Sequence, residues 1–298
     1  FTDNGTGFYI SDVPGLNLST PMNVTGSTVA GIHLEGCDNP TIDNQVLTGN
    51  TGDYGAFFIE DCGEFTLGAG NTIGGSGSEN SWPVAIGAGS YPSAGGVIPT
   101  TGNTNNDIQV GGGTSSRTGT WRKFTDLDYI VATNTVIDTG GELNLEPGVT
   151  VKLDSSRRLH FRGHLNAIGA PGQEILFTRN TPSNWSYLYF TNDGSADLAY
   201  CTIEYCSYGF YATSTGALSV AHVTFQNSTY GIYATGTNAL TVNDCQFLNN
   251  NYGINISGGT IDLASSSFTG NASFGYKGDG VAPGVLDANL VFTDNGTG

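Results

Sequence analysis

The chain holds 298 residues, among them 45 glycines, with only 12% charged residues and a formal net charge of −17. So large an excess of acid excludes nucleic acid and anionic membrane surfaces as natural partners, since both select Lys and Arg. An aromatic content of 11% excludes a disordered chain, and no apolar run is long enough to span a bilayer.

The charge is unevenly distributed. Residues 1–116 contain no Lys or Arg, and every basic residue except Lys277 falls between Arg117 and Arg179. The chain opens at Phe1 without a signal peptide, which reads as a fragment or a processed product. Strand-like pieces appear first at residues 8–11 and then around Val24, Leu47 and Ile73, with Gly31 and Gly55 at matching steps. Short apolar alternations bounded by Gly, Asn, Ser and Thr predict strands joined by tight turns.

Cys37 and Cys62 stand 25 residues apart, at similar positions of successive coils, so a disulfide between them is within reach. Five cysteines cannot all pair within one chain, and Cys201 and Cys245 read as small buried residues. Between Gly74 and Thr120 the composition turns to Gly, Ser, Thr and Asn, yet residues 84–86, 97–98 and 108–110 keep strand character. Residues 74–120 are therefore expected to be coils with long loop excursions.

Residues 129–177 read as strands around Leu143/Leu145, Val149/Val151, Leu159/Phe161 and Ile175/Phe177. A basic band, Lys152, Asp154, Arg157, Arg158, His160, Arg162 and His164, overlaps them; inward Leu159 and Phe161 would leave His160 and Arg162 outside. Trp185, Tyr187 and Tyr189 then alternate along one strand, as candidates either for the core or for an outer aromatic face.

From Cys201 onward the chain repeats itself. Gly209, Gly231, Gly253 and Gly275 recur every 22 residues, as do Tyr208, Tyr230, Tyr252 and Phe274, and Phe225 and Phe247. Asn227, Asn249 and Asn271 keep the same step and are expected to form an inward asparagine column bonded from coil to coil. Tyr211 and Tyr233 also lie one coil apart. A unit of about 22 residues with several short strands is the coil of a parallel β-helix, in which like side chains stack on their copies.

The last residues, FTDNGTG from Phe292, repeat the first seven and define a period of 291 residues. The C-terminal copy continues the columns, Phe292, Asn295 and Gly298 following Phe268, Asn271 and Gly275. Residues 1–298 are thus expected to be one continuous, all-β, right-handed parallel β-helix of roughly 12–13 coils of about 22–25 residues. At ladder spacing this unit is about 60 Å of rod. It repeats in a tandem array, either covalently or by separate chains stacking head to tail.

ELNLEPGVTVKL (142–153), LNAIGAPGQEILFT (165–178) and AYCTIEYCSYGFYA (199–212) resemble the right-handed parallel β-helix regions of large secreted bacterial surface proteins, which share the pectate-lyase-like fold. The resemblance implies secretion and assembly at a cell surface. The polysaccharide-cleaving members need clustered carboxylates with an Arg or Lys base, or paired aspartates. Here there is no Asp-Asp pair, and Gly163-His164-Leu165 departs from the Gly-His-Gly of the hydrolases.

The expectation is a non-enzymatic structural repeat of an extracellular filament or adhesin stalk, with itself as partner and no cofactor beyond weak surface Ca2+. Alternatives are a carbohydrate-binding adhesive module and a polysaccharide lyase or hydrolase. Arg157, Arg158, His160, Arg162, Tyr211 and Tyr233 are the candidates for lateral or glycan contact.

Overall fold

In the strand Ala217–Ala221 the buried Leu218 and Val220 alternate with Ser219, and the same alternation recurs one turn later in Ala239–Asn243 with Leu240 and Val242. Such pairs meet in parallel register, Leu218 with Leu240 and Val220 with Val242. Each apolar side chain therefore packs on its own copy, and the core is a set of columns. The computed structural model describes residues 1–236, 239–281, 284–287 and 289–297. Gly298, the last member expected for the glycine column, lies outside the described residues.

The chain forms two compact units, Phe1–Thr135 and Val136–Gly298. In the second, each turn carries three strands, exemplified by Ala217–Ala221, Thr224–Gln226 and Tyr230–Thr235, and each pairs in parallel with its counterpart in the next turn. The first unit is built likewise: Ala30–Glu35, Thr41–Ile42 and Val46–Thr48 stack on Gly55–Glu60, Gly63–Leu67 and Thr72–Ile73. Between residues 74 and 120, Val84–Gly87, Ser90–Pro92 and Ile108–Ser115 continue these stacks, with irregular backbone between them. Among the described residues there is no helix, hence none long and apolar enough to cross a membrane.

The bends between strands are sharp because one residue takes the left-handed conformation. Tyr200, His222, Asp244 and Ser265 do so at one corner, with φ between 49° and 53°. Asn227 (φ 53°), Asn249 (φ 54°) and Gly270 (φ 67°) do so at the next. Asparagine and glycine tolerate this region best. The glycine column from Gly209 to Gly275 has a different cause: a Cβ on Gly231 would lie 2.6 Å from the Gly253 carbonyl oxygen and 2.8 Å from the Phe247 ring. The turns stack too closely there for any side chain. In the first unit Gly31 occupies the same kind of contact, but its neighbour in register is Ala56 rather than Gly55, because Ala30 pairs with Gly55.

The inward asparagine column exists, with different members from those expected. Ser228 N donates to Asn250 Oδ1 (3.1 Å), Asn250 N and Nδ2 donate to Asn271 Oδ1 (3.1 and 3.2 Å), and Asn271 N and Nδ2 donate to Asn295 Oδ1 (3.0 and 2.8 Å). Each amide also donates backwards to a carbonyl, Asn250 to Phe225 and Asn271 to Phe247. Asn227 and Asn249 belong instead to the bend one residue earlier. The 22-residue step fails locally: Gln246 pairs with Ser267 one residue early, and the step recovers by Tyr252 with Phe274. The first unit has an equivalent ladder, Ser27–Asn50–Asn80–Asn103.

The disulfide expected between Cys37 and Cys62 is absent; both are free and fully buried. Stacking brings them together, but their sulfurs serve the turns: Cys37 N donates to Cys62 Sγ (3.2 Å), and Cys62 Sγ donates to the Glu60 carbonyl (3.2 Å). Serine fills the same role, Cys62 N donating to Ser90 Oγ and Cys245 N to Ser266 Oγ. Burial pushes the thiols of Cys62, Cys201, Cys206 and Cys245 up to about 12.

Two outcomes follow. Asn271→Ala orphans donors and acceptors on both sides and should lower stability by about 3 kcal/mol or more, whereas Asn249→Gly at a left-handed bend should change it by less than about 0.5 kcal/mol; urea midpoints of the two variants decide. At about pH 8 the folded chain should resist thiol-specific disulfide reagents until denatured, and its electrophoretic mobility should not depend on reductant.

Candidate functional site

The third strands of the second unit turn two columns of aromatic side chains outward. Tyr208, Tyr230, Tyr252 and Phe274 form one, with ring centroids 4.9, 4.6 and 5.9 Å apart and the first three rings within 7° of parallel. Tyr189, Tyr211 and Tyr233 form the other, at 4.8 and 5.4 Å. Contacts such as Tyr208–Tyr211 at 5.2 Å join the columns into one platform, and its rings are all half-buried. Phe225, Phe247, Phe268 and Phe292 make a comparable stack, but the first three are fully buried and form core.

Two columns can face outward from the same strands because the strand carries a local irregularity. Trp185 pairs with Cys206 and Tyr187 with Tyr208, but Leu188 then pairs with Phe210, skipping Gly209. Tyr208 and Tyr211 on the longer strand therefore both face outward; on the shorter one Trp185 points inward, fully buried with Nε1 donating to the Glu204 carbonyl (2.8 Å), while Tyr187 and Tyr189 point outward. The three residues do not share one face, as strict alternation would require. Burial, and then the neighbouring phenols, push the Tyr211 and Tyr230 hydroxyls above their usual range.

The basic band divides. Arg158 lies against the platform, its guanidinium 3.2 Å from the Tyr187 hydroxyl. His160 packs on the Tyr189 ring at 4.8 Å with Nε2 2.7 Å from Thr191 Oγ1. Burial, then Arg162 and Arg158, hold its imidazole below the usual histidine range, so His160 is neutral at physiological pH. Arg162 instead forms an ion pair with Asp138 (3.2 Å), and Arg157 stands exposed in the bend before Arg158. The structure thus brings Arg158 and His160 to Tyr211 and Tyr233, but not Arg157 or Arg162. Sequence reading named Tyr187 and Tyr189 without deciding their direction; it placed Asn295 after Asn271 correctly but missed Asn250, whose signal was a one-residue change in coil length.

With this geometry in view, the protein is a right-handed parallel β-helix: an all-β solenoid of about 12 turns of parallel strands. Residues 129–272 match the family described as the right-handed β-helix region. No curated protein and no solved structure matches the chain at a significant level.

Proposed function

We propose that the chain is the structural repeat of an extracellular filament or adhesin stalk, joined end to end as a β-helical rod. The observation that carries this is the pair of identical heptapeptides. In the copy at Phe1 the atoms in use face the following turn: the Phe1 carbonyl accepts from Thr25 N, Asp3 N donates to the Thr25 carbonyl, and the Asn4 and Gly5 carbonyls accept from Thr28 and Val29. In the copy at Phe292 the atoms in use face the preceding turn. Asn295 Oδ1 accepts from Asn271, Asn295 Nδ2 donates to the Phe268 carbonyl, and Gly296 N donates to the Asn271 carbonyl. The Phe292 ring lies 4.7 Å from Phe268.

The two sets of atoms share only the asparagine Nδ2, which has two hydrogens to donate (Asn4 Nδ2 to the Thr2 carbonyl in the first copy), and Asp3 and Asp294 take the same left-handed bend, at φ 54° and 52°. One heptapeptide can therefore hold a turn on each side at once, which is what an interior turn of a repeating solenoid requires. No reaction is assigned to the chain: of the basic residues that a lyase could use as a base, Arg162 is paired with Asp138 and Arg158 rests on Tyr187.

Electron microscopy of the native material together with denaturing electrophoresis tests the proposal. Thin rods with an axial repeat of about 60 Å are expected. A very large denatured mass would make the array covalent, and a band near 31.0 kDa would make it a stack of separate chains. Discrete short particles would overturn it.

The tyrosine platform supports a second reading, an adhesive face for glycans, because stacked rings with an adjoining arginine suit the apolar faces and hydroxyls of sugars. On a glycan array, saturable binding that falls at least about tenfold in a Tyr211→Ala/Tyr233→Ala variant is expected. Binding that survives the double substitution would remove the platform from that role.

A further inference from the structure

In the first unit, Ala30–Glu35 lies between Thr6–Ser11 and Gly55–Glu60, with Tyr9, His33 and Phe58 in one register and Ser11, Glu35 and Glu60 in the next but one. Alternation turns His33 and Glu35 to the same outer face. Glu35 and Glu60 are therefore direct neighbours on adjacent strands, an arrangement of like charges that weakens a sheet unless something positive lies between them. His33 Nε2 is 3.1 Å from Glu60 Oε1, and one ligand atom from each of His33, Glu35 and Glu60 lies within 4.8 Å of the other two.

The surroundings fix these groups in place. The His33 ring is held between Tyr9 (centroids 5.0 Å apart) and Phe58 (4.6 Å), so its Nε2 is aimed along the sheet at the carboxylates. The Tyr9 hydroxyl donates to Glu35 Oε2. Nearby Asp61 is matched by Arg117, whose Nε is 2.7 Å from Asp61 Oδ1, so this arginine does not answer the Glu35 and Glu60 charges. A recess of about 220 Å³ opens over both carboxylates, floored by Ala88, Gly112 and Gly113.

We infer that His33, Glu35 and Glu60 form a binding site for a first-row divalent transition-metal ion, with the recess leaving a coordination position open. An imidazole nitrogen beside two carboxylates favours such an ion over Ca2+ or Mg2+, which take oxygen ligands. Bonds of about 2.0–2.2 Å require the two glutamate side chains to draw in toward His33 Nε2, a rotamer adjustment at half-open positions. The bound ion replaces the repulsion between Glu35 and Glu60 with attraction to both, and ties two adjacent turns together. Tyr9 then steadies Glu35 from outside the coordination sphere.

The test is calorimetric titration of the untagged chain with Zn2+, with Co2+ absorption as a second readout. One ion per chain is expected, accompanied by a rise in melting temperature. Affinity should fall at least about tenfold in His33→Ala and in the near-isosteric Glu35→Gln and Glu60→Gln, and stay unchanged in His222→Ala, which alters a separate histidine. Circular dichroism of each variant establishes that it folds. Unchanged Zn2+ affinity in folded His33→Ala, equal competition by Ca2+, or no saturable binding to the parent chain would each overturn the assignment.

Discussion

Each turn of this solenoid is completed by its neighbours, and the ladder of buried asparagines makes that dependence sharpest. A bend toward the core leaves backbone N–H groups and carbonyls facing inward, where water cannot reach them. Asn250 and Asn271 answer this by accepting from the turn before, donating to the turn after and reaching a carbonyl with the same amide. An unmade hydrogen bond at such a depth costs far more than a made one contributes. The ladder therefore fixes which turn follows which, while the Phe225–Phe247–Phe268 stack beside it supplies burial that is largely indifferent to identity.

The same register that stacks the core also copies the outer surface. A residue turned outward in one turn meets the residue one coil length away, whether or not the contact is favourable. Where the repeated residue is tyrosine, the outcome is the platform of Tyr208, Tyr230 and Tyr252, with rings nearly parallel. Where it is glutamate, the outcome is Glu35 beside Glu60, with His33 Nε2 3.1 Å from the Glu60 carboxylate. Both sites arise from one geometric rule, and their difference lies in side-chain chemistry alone.

Local departures from that rule decide which way individual side chains face. The register skip at Gly209 lets Tyr208 and Tyr211, three residues apart, both face outward from one strand. Cysteine and serine exchange freely at the bends, as at Cys62 and Ser90, because the position asks only for a small group that can accept from a backbone N–H. The cysteines read as a structural device of the bends and not as cross-links.

The sequence by itself determined the architecture. The 22-residue recurrence of Gly209, Gly231, Gly253 and Gly275, and of the tyrosines beside them, is a direct record of stacked turns, since only a solenoid brings residues at a fixed separation into repeated contact. The terminal heptapeptides were legible for the same reason. Tertiary structure alone decided which residues occupy each column. Turn lengths vary by a residue, so a period read as constant put Asn249 over Asn271, whereas the pairing of Gln246 with Ser267 puts Asn250 there. It also decided that Cys37 and Cys62 remain thiols, because spacing reports proximity and not where a sulfur points. The 25-residue step that aligned those cysteines equally aligns Glu35 with Glu60, yet only the packed rings of Tyr9 and Phe58 show His33 aimed at that pair. Periodicity sets the repeat of the backbone; side-chain direction depends on local bends and neighbours that no single period encodes.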